Sequence, residues 1–209
     1  MFKHYICGIN SKTKKHFMKK LLIALSVFAG TTAFAQNKWK ADVAHSTVKF
    51  SVPHMMISET EGSFKVYDAE VSNTKDDFTD AKINFNIDVN SINTENEMRD
   101  NHLKADDFFN AAKYPKITFK GTSLKKVSGN NYVLEGDLTI RDVTKKVKLD
   151  VVYGGTLKDP YGNTKAGFKV TGVINRFDYG LKFNALTETG GAMVGKDVTI
   201  TVKLELQKI

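Results

Sequence analysis

Residues 91–121 read SINTENEMRDNHLKADDFFNAAKYPKITFKG. This stretch decides the fold, because every other segment of appreciable length carries the two-residue alternation of a β-strand. Here Met98, His102 and Leu103 recur at i, i+4 and i+5, with Glu95, Glu97, Arg99, Asp100 and Lys104 around the rest. That spacing predicts a helix over 95–104. Thr94 or Asn93 supplies a capping side chain, and Glu95 and Glu97 suit the positive end of the helix dipole. The apolar pair Phe108-Phe109 follows, then a Tyr114-Pro115 stop, then a new strand from Lys116. One amphipathic helix inside an all-β chain is expected to plug or cap the open end of a barrel.

On either side of this stretch the strands are one-sided. Ile83, Phe85, Ile87 and Val89 alternate with Lys82, Asn84, Asn86, Asp88 and Asn90. This predicts one dry face and one wet face. Val48, Phe50 and Val52 do the same, as do Tyr132 to Ile140, Val147 to Tyr153, Ala166 to Ile174 and Val198 to Leu206. A further strand over 59–72 contains Phe64, with Gly62 at a bend. The result is about eight long strands without repeats or an internal linker. It predicts an eight-stranded antiparallel lipocalin-like barrel with one amphipathic helix at an end. A β-sandwich shows the same alternation and is the alternative.

The chain has 209 residues, and residues 1–35 read as a leader. From Met18, the expected translation start, the order is Lys19-Lys20, an apolar run from Leu21 to Gly30, and Ala33-Phe34-Ala35 before Gln36. These are the three regions of a secretory signal peptide, with a run too short to span a bilayer. Export to the periplasm or beyond the cell is therefore expected, with one domain over 36–209. Taking the leader's six lysines from the 31 basic residues leaves 25 against 23 acidic, a net charge of +2. A balance so near neutral gives no reason to expect nucleic acid as a partner. Cys7, the single cysteine, falls in the leader, so the remaining chain has no disulfide and depends on its core.

No arrangement for catalysis is evident. His45 and His54 stand nine residues apart, and His102 with Asp106 and Asp107 spells no full metal-ligand set. Ser46 beside His45 cannot share a face with it on a strand. Gly190-Gly191 and Gly195 lack the strand–turn–helix of a phosphate cradle. The expectation is a protein that is not an enzyme, with no metal and no cofactor.

The segments HSTVKFSVPHM, SINTENEMRDNHLKADDFF, YPKITFKG, LEGDLTIRDVTKKVKLDV, NRFDYGL and VTITVKLELQK together resemble the YceI-like family of secreted bacterial proteins, over essentially the whole chain after the leader. The resemblance implies a lipocalin-like barrel holding a polyisoprenoid or similar long-chain amphiphile. One departure is Arg141-Asp142, in a turn where the family often has glycine; it bears on turn geometry more than on binding.

The one-sided strands supply Phe50, Phe64, Phe85, Ile87, Phe119, Leu138 and Phe168 to an expected ligand-binding lumen. The helical region adds Met98, Leu103, Phe108 and Phe109, and Met55 and Met56 contribute flexible thioethers suited to a floppy chain. Arg99 and His102 are candidate contacts for a polar head group, or else members of a rim network; Arg176–Tyr179 carries the same two readings. The expected partner is a long-chain isoprenoid, isoprenoid quinone or fatty-acid derivative, for transport or storage. Transient contact with a membrane or membrane protein, and a homodimer, are further expectations. The competing function is a ligand-free secreted interaction or stress-protection module.

Overall fold

The computed structural model describes residues 36–188 and 190–209; the expected leader over 1–35 lies outside them. Among the described residues eleven strands and one α-helix follow in order: β1 (Asn37–Ala41), β2 (Thr47–His54), β3 (Ser58–Phe64), β4 (Tyr67–Asn73), β5 (Lys82–Asp88), β6 (Ile92–Asn93), α1 (Glu97–Leu103), β7 (Lys116–Ser128), β8 (Asn131–Ile140), β9 (Val143–Lys158), β10 (Thr164–Asn175) and β11 (Asp197–Lys208). All pairings between strands are antiparallel. Strands β1, β4, β5, β7, β8, β9, β10 and β11 form an eight-membered ring that closes where Trp39 pairs with Lys208. The closing pair makes this a barrel and not a sandwich.

The short strands are interrupted long ones. β1 and β2 both run along β11, separated by residues 42–46, and β3 and β4 form one path broken at Lys65-Val66. The break falls there and not at Gly62, which stays paired with Phe50. At the first interruption Asp42, His45, Lys165 and Glu205 gather. Lys165 Nζ lies 2.5 Å from Asp42 and 3.4 Å from Glu205, and His45 Nδ1 lies 3.0 Å from Asp42. Lys165 thus sits as an internal counter-charge among the acids. Ser46, buried, holds the edge of β11 by donating to the Glu205 carbonyl and accepting from its amide.

The alternation in β5 places Ile83, Phe85 and Ile87 inward, with Lys82 and Asn84 exposed; Val89, just past the strand, is buried in a 3-10 turn. Inward residues of the barrel's middle are only half-buried: Phe50, Ile83, Phe85, Phe168, Val170, Ile200 and Val202 keep contact with an interior space. In a filled barrel they would be as buried as Leu206 or Trp39.

Strand direction defines two ends. β2, β5, β8 and β10 run toward the end that carries α1; β4, β7, β9 and β11 run toward the opposite end, where loop 74–81 joins β4 to β5. Helix α1 is shorter than the sequence suggests. Asn96, not Thr94 or Asn93, caps it, accepting from Arg99 N at 3.0 Å. Thr94 is instead buried and bound by Asp100, while Asn93 Oδ1 accepts from Glu95 N.

Candidate ligand-binding site

The barrel encloses a cavity of about 370 Å³, within the range of small-molecule sites. Its walls come from β2, β3, β4, β5, β7, β8, β9, β10 and β11 and are almost entirely aliphatic and aromatic. Two glycines make room for rings on the wall. A Cβ on Gly62 would lie 2.3 Å from the Phe50 ring, and one on Gly136 would lie 2.3 Å from the Phe119 ring.

The α1 end is roofed by aromatic contacts. Phe108, buried, stacks on Phe183 with centroids 5.0 Å apart, and the His102 ring stands edge-on to both at 5.0 Å. Phe109 meets Phe64 edge-on, and Phe64 meets Phe50. The roof is pinned from outside the lumen. Arg141 Nη1 donates to the carbonyls of Asp106, Phe108 and Gly180 at 3.0, 3.0 and 2.8 Å. Arg141 has φ +57, which explains why a glycine suits this turn, and its side chain fastens the Phe108 segment.

The polar part of the lining is concentrated at this end: His54, Thr60, Thr94, Arg99, His102 and Arg176. Arg99 Nε and Nη2 donate to the Thr94 hydroxyl and carbonyl, each at 2.7 Å. His102 Nε2 pairs with Asp107 at 2.9 Å, whereas Asp106 turns to Arg141 and Asn110, so the three do not converge as metal ligands. Arg176 is buried, 3% exposed, and donates to the carbonyls of Gly195, Leu181 and Val194. It stands over the Phe177 ring at 4.2 Å, and burial lowers its pKa. Among the described residues no carboxylate forms an ion pair with Arg176. Every titratable lining residue among them is basic, Lys49 included.

The opposite end is closed by Phe78, which packs on Trp39, Tyr153 and Phe168 at 5.3, 5.7 and 5.1 Å between centroids.

Of the side chains expected in the lumen, Phe50, Phe64, Phe85, Ile87, Leu103, Phe108, Phe109, Phe119, Leu138 and Phe168 line the cavity, and so do Arg99 and His102. Three methionines do not. Met55 and Met56 form the β2–β3 turn with φ 51 and 62, and the turn projects them outward, Met56 being 74% exposed. Met98 is 84% exposed. The inward side of α1 is centred on Arg99, His102 and Leu103, and at about 100° per residue Met98 falls on the flank. Arg176, from the turn given the same two readings as Arg99 and His102, lines the cavity as well, and Phe78 and Phe183 are lining residues that the sequence leaves unassigned. The one available signal for Phe78 was a lone aromatic in the polar loop NTKDDFTD.

Among solved structures, the chain resembles BcnA of Burkholderia cenocepacia at 25% identity and a TM-score of 0.67, covering 79% of this chain and 98% of that one. It also resembles the YCEI protein of Campylobacter jejuni at 34% identity and a TM-score of 0.65, over 75% and 90% of the two chains. A fold-level likeness, 15% identical with a TM-score of 0.60, joins it to a polyisoprenoid binding domain from Saccharophagus degradans implicated in plant cell wall breakdown, over 82% and 98% of the chains. A UPF0312 protein of Staphylococcus aureus (strain N315) is 44% identical over 165 residues, 78% of this chain and 94% of that protein. The model of the YceI-like domain matches residues 39–206, and the chain belongs to that family.

Proposed function

We propose that this protein binds one long-chain amphiphile, a polyisoprenoid, isoprenoid quinone or fatty-acid derivative, with its tail in the lumen. The observation that carries this reading is the hollow interior: an apolar cavity of about 370 Å³, onto which the mid-barrel residues Phe50, Phe85, Phe168 and Val170 face while only partly buried. Each CH₂ buried there contributes about 0.8 kcal/mol, so a tail holds without directional contacts. The head group lies at the α1 end, where Arg99 and Arg176 offer positive charge, and His102 a polar ring edge, to phosphate, carboxylate or quinone oxygens. A barrel of this fold in Saccharophagus degradans is described as a polyisoprenoid binding domain, which supports the same class of ligand. The protein acts as a carrier or store and not as an enzyme. The signal-like residues 19–35 support a periplasmic or secreted location, with loading and release at a membrane surface.

Titration with a fluorescent polyene fatty acid tests the reading. Saturable one-to-one binding is expected, displaced by an unlabelled prenyl alcohol and abolished by Val170→Trp, which fills the lumen. Absence of saturable binding to the parent protein sinks the proposal and favours a ligand-free module.

A further inference from the structure

Phe78 is placed in an uncommon way. It is a bulky residue at φ +59, in the left-handed region, yet only 2% of it is exposed and its ring forms part of the cavity wall. Such a conformation persists only where its surroundings enforce it. Here they do. Asn73, buried, accepts from the Trp39 indole at 2.7 Å and donates to the Lys75 carbonyl at 2.6 Å. Asp80 accepts from the amides of Thr74 and Lys75 and from the Thr74 hydroxyl. Asp77 binds the amide and hydroxyl of Thr79. A loop of charged and polar residues is thus tied into one shape, and that shape drives its single aromatic side chain up into the barrel. Trp39, Tyr153 and Phe168 then hold the ring from three sides.

The cavity is consequently a tube with polar groups at one end and a floor at the other. A tail anchored by its head at the α1 end advances until its terminus meets Phe78. We propose that Phe78 is the length-determining residue of the lumen, selecting the tail length of the bound amphiphile. This inference rests on the binding reading above. Up to the floor, each added CH₂ is buried and affinity rises about fourfold. Beyond it, added carbons stay outside the lumen and affinity stops rising.

A series of straight-chain fatty acids of increasing length, bound to the intact protein, measures this. The single tryptophan, Trp39, touches Phe78, so energy transfer from Trp39 to a terminal polyene probe reports arrival of the tail at the floor. For the parent protein a break in the length series is expected. Phe78→Ala should move it to longer acids, with a gain of roughly fifteenfold for acids one two-carbon step past the old break. Phe78→Leu keeps apolar bulk for folding and should shift the break in the same direction by less. Thermal melting without ligand verifies that each variant is folded. If a folded Phe78 variant keeps the parent's break, the floor lies elsewhere and the proposal is wrong. If the parent binds no acid of any length, the binding reading itself fails, a result distinct from an unmoved break.

Discussion

Arg141 Nη1 donates to the carbonyl oxygen of Phe108 at 3.0 Å, across 33 residues of sequence, and fixes the roof of the lumen to the β8–β9 turn. The same nitrogen lies within 3.0 Å of the Asp106 and Gly180 carbonyls, so one cation fastens the β8–β9 turn to two stretches that are themselves tied where the Lys182 and Phe183 amides donate to the Asp107 carbonyl.

Arg141→Ala should therefore destabilise the protein by about 2–4 kcal/mol through three orphaned carbonyl contacts. Arg141→Gly should recover about 1 kcal/mol of that, because residue 141 sits at φ +57. Denaturant unfolding of both variants checks the order. Equal stability of the alanine and glycine variants would show that the backbone there is unstrained.

Phe108 and Phe109 have separable roles. Phe108 is 6% exposed and stacked on Phe183, so Phe108→Ala should cost about 3–5 kcal/mol. Phe109 is half-buried and meets Phe64 from the lumen side, so Phe109→Ala should cost about 1–3 kcal/mol yet shorten retention of a fluorescent long-chain probe. Melting curves and probe dissociation rates, measured on each variant, separate the two effects.

The β2–β3 turn holds two methionines at positive φ, where Asn-Gly is strongly preferred. Replacing Met55 by Asn and Met56 by Gly should raise stability by about 1 kcal/mol and leave lumen binding unchanged. A fall in stability would mean that the exposed thioethers make contacts which the turn geometry does not reveal.

The Asp42–His45–Lys165–Glu205 cluster sets a pH dependence. Hydrogen bonding to Lys165 first, then to His45, lowers Asp42 to about 2, and the bond to Asp42 raises His45 above its ordinary 6.5. The His45 contribution is complete below its unfolded value and fades as pH rises through the higher folded one. The Asp42 contribution is complete above 3.8 and disappears as pH falls through about 2. Melting temperature should accordingly decline slightly from about pH 6 to about pH 8, and His45→Gln should flatten that slope. An unchanged slope would assign the dependence to other groups.

Much of the barrel was legible because a strand with one dry face repeats every two residues, as in Ile83, Phe85 and Ile87. That period states which way a side chain faces but not which strands meet, so ring closure at Trp39 and Lys208 was not readable. The gaps concentrate where non-glycine residues adopt positive φ: Met55 and Met56 read as lumen but turn outward, and Phe78, in a polar loop, carries no sign that its ring enters the lumen. Turn chemistry is recognised through glycine, asparagine and proline, and these positions carry none of them. Met98 was misassigned for a different reason. A seven-residue helix has too few turns for spacing to distinguish its inward side from its flank.

The central claim is that the lumen holds a lipid tail, and native mass spectrometry of the full-length protein, expressed and exported in a bacterial host and released without detergent, tests it most directly. The account predicts a one-to-one adduct in the mass range of a long-chain amphiphile, which organic solvent extracts and which Val170→Trp eliminates. A clean apo mass for the parent protein, unchanged after incubation with prenyl alcohols, prenyl phosphates and fatty acids, would contradict it.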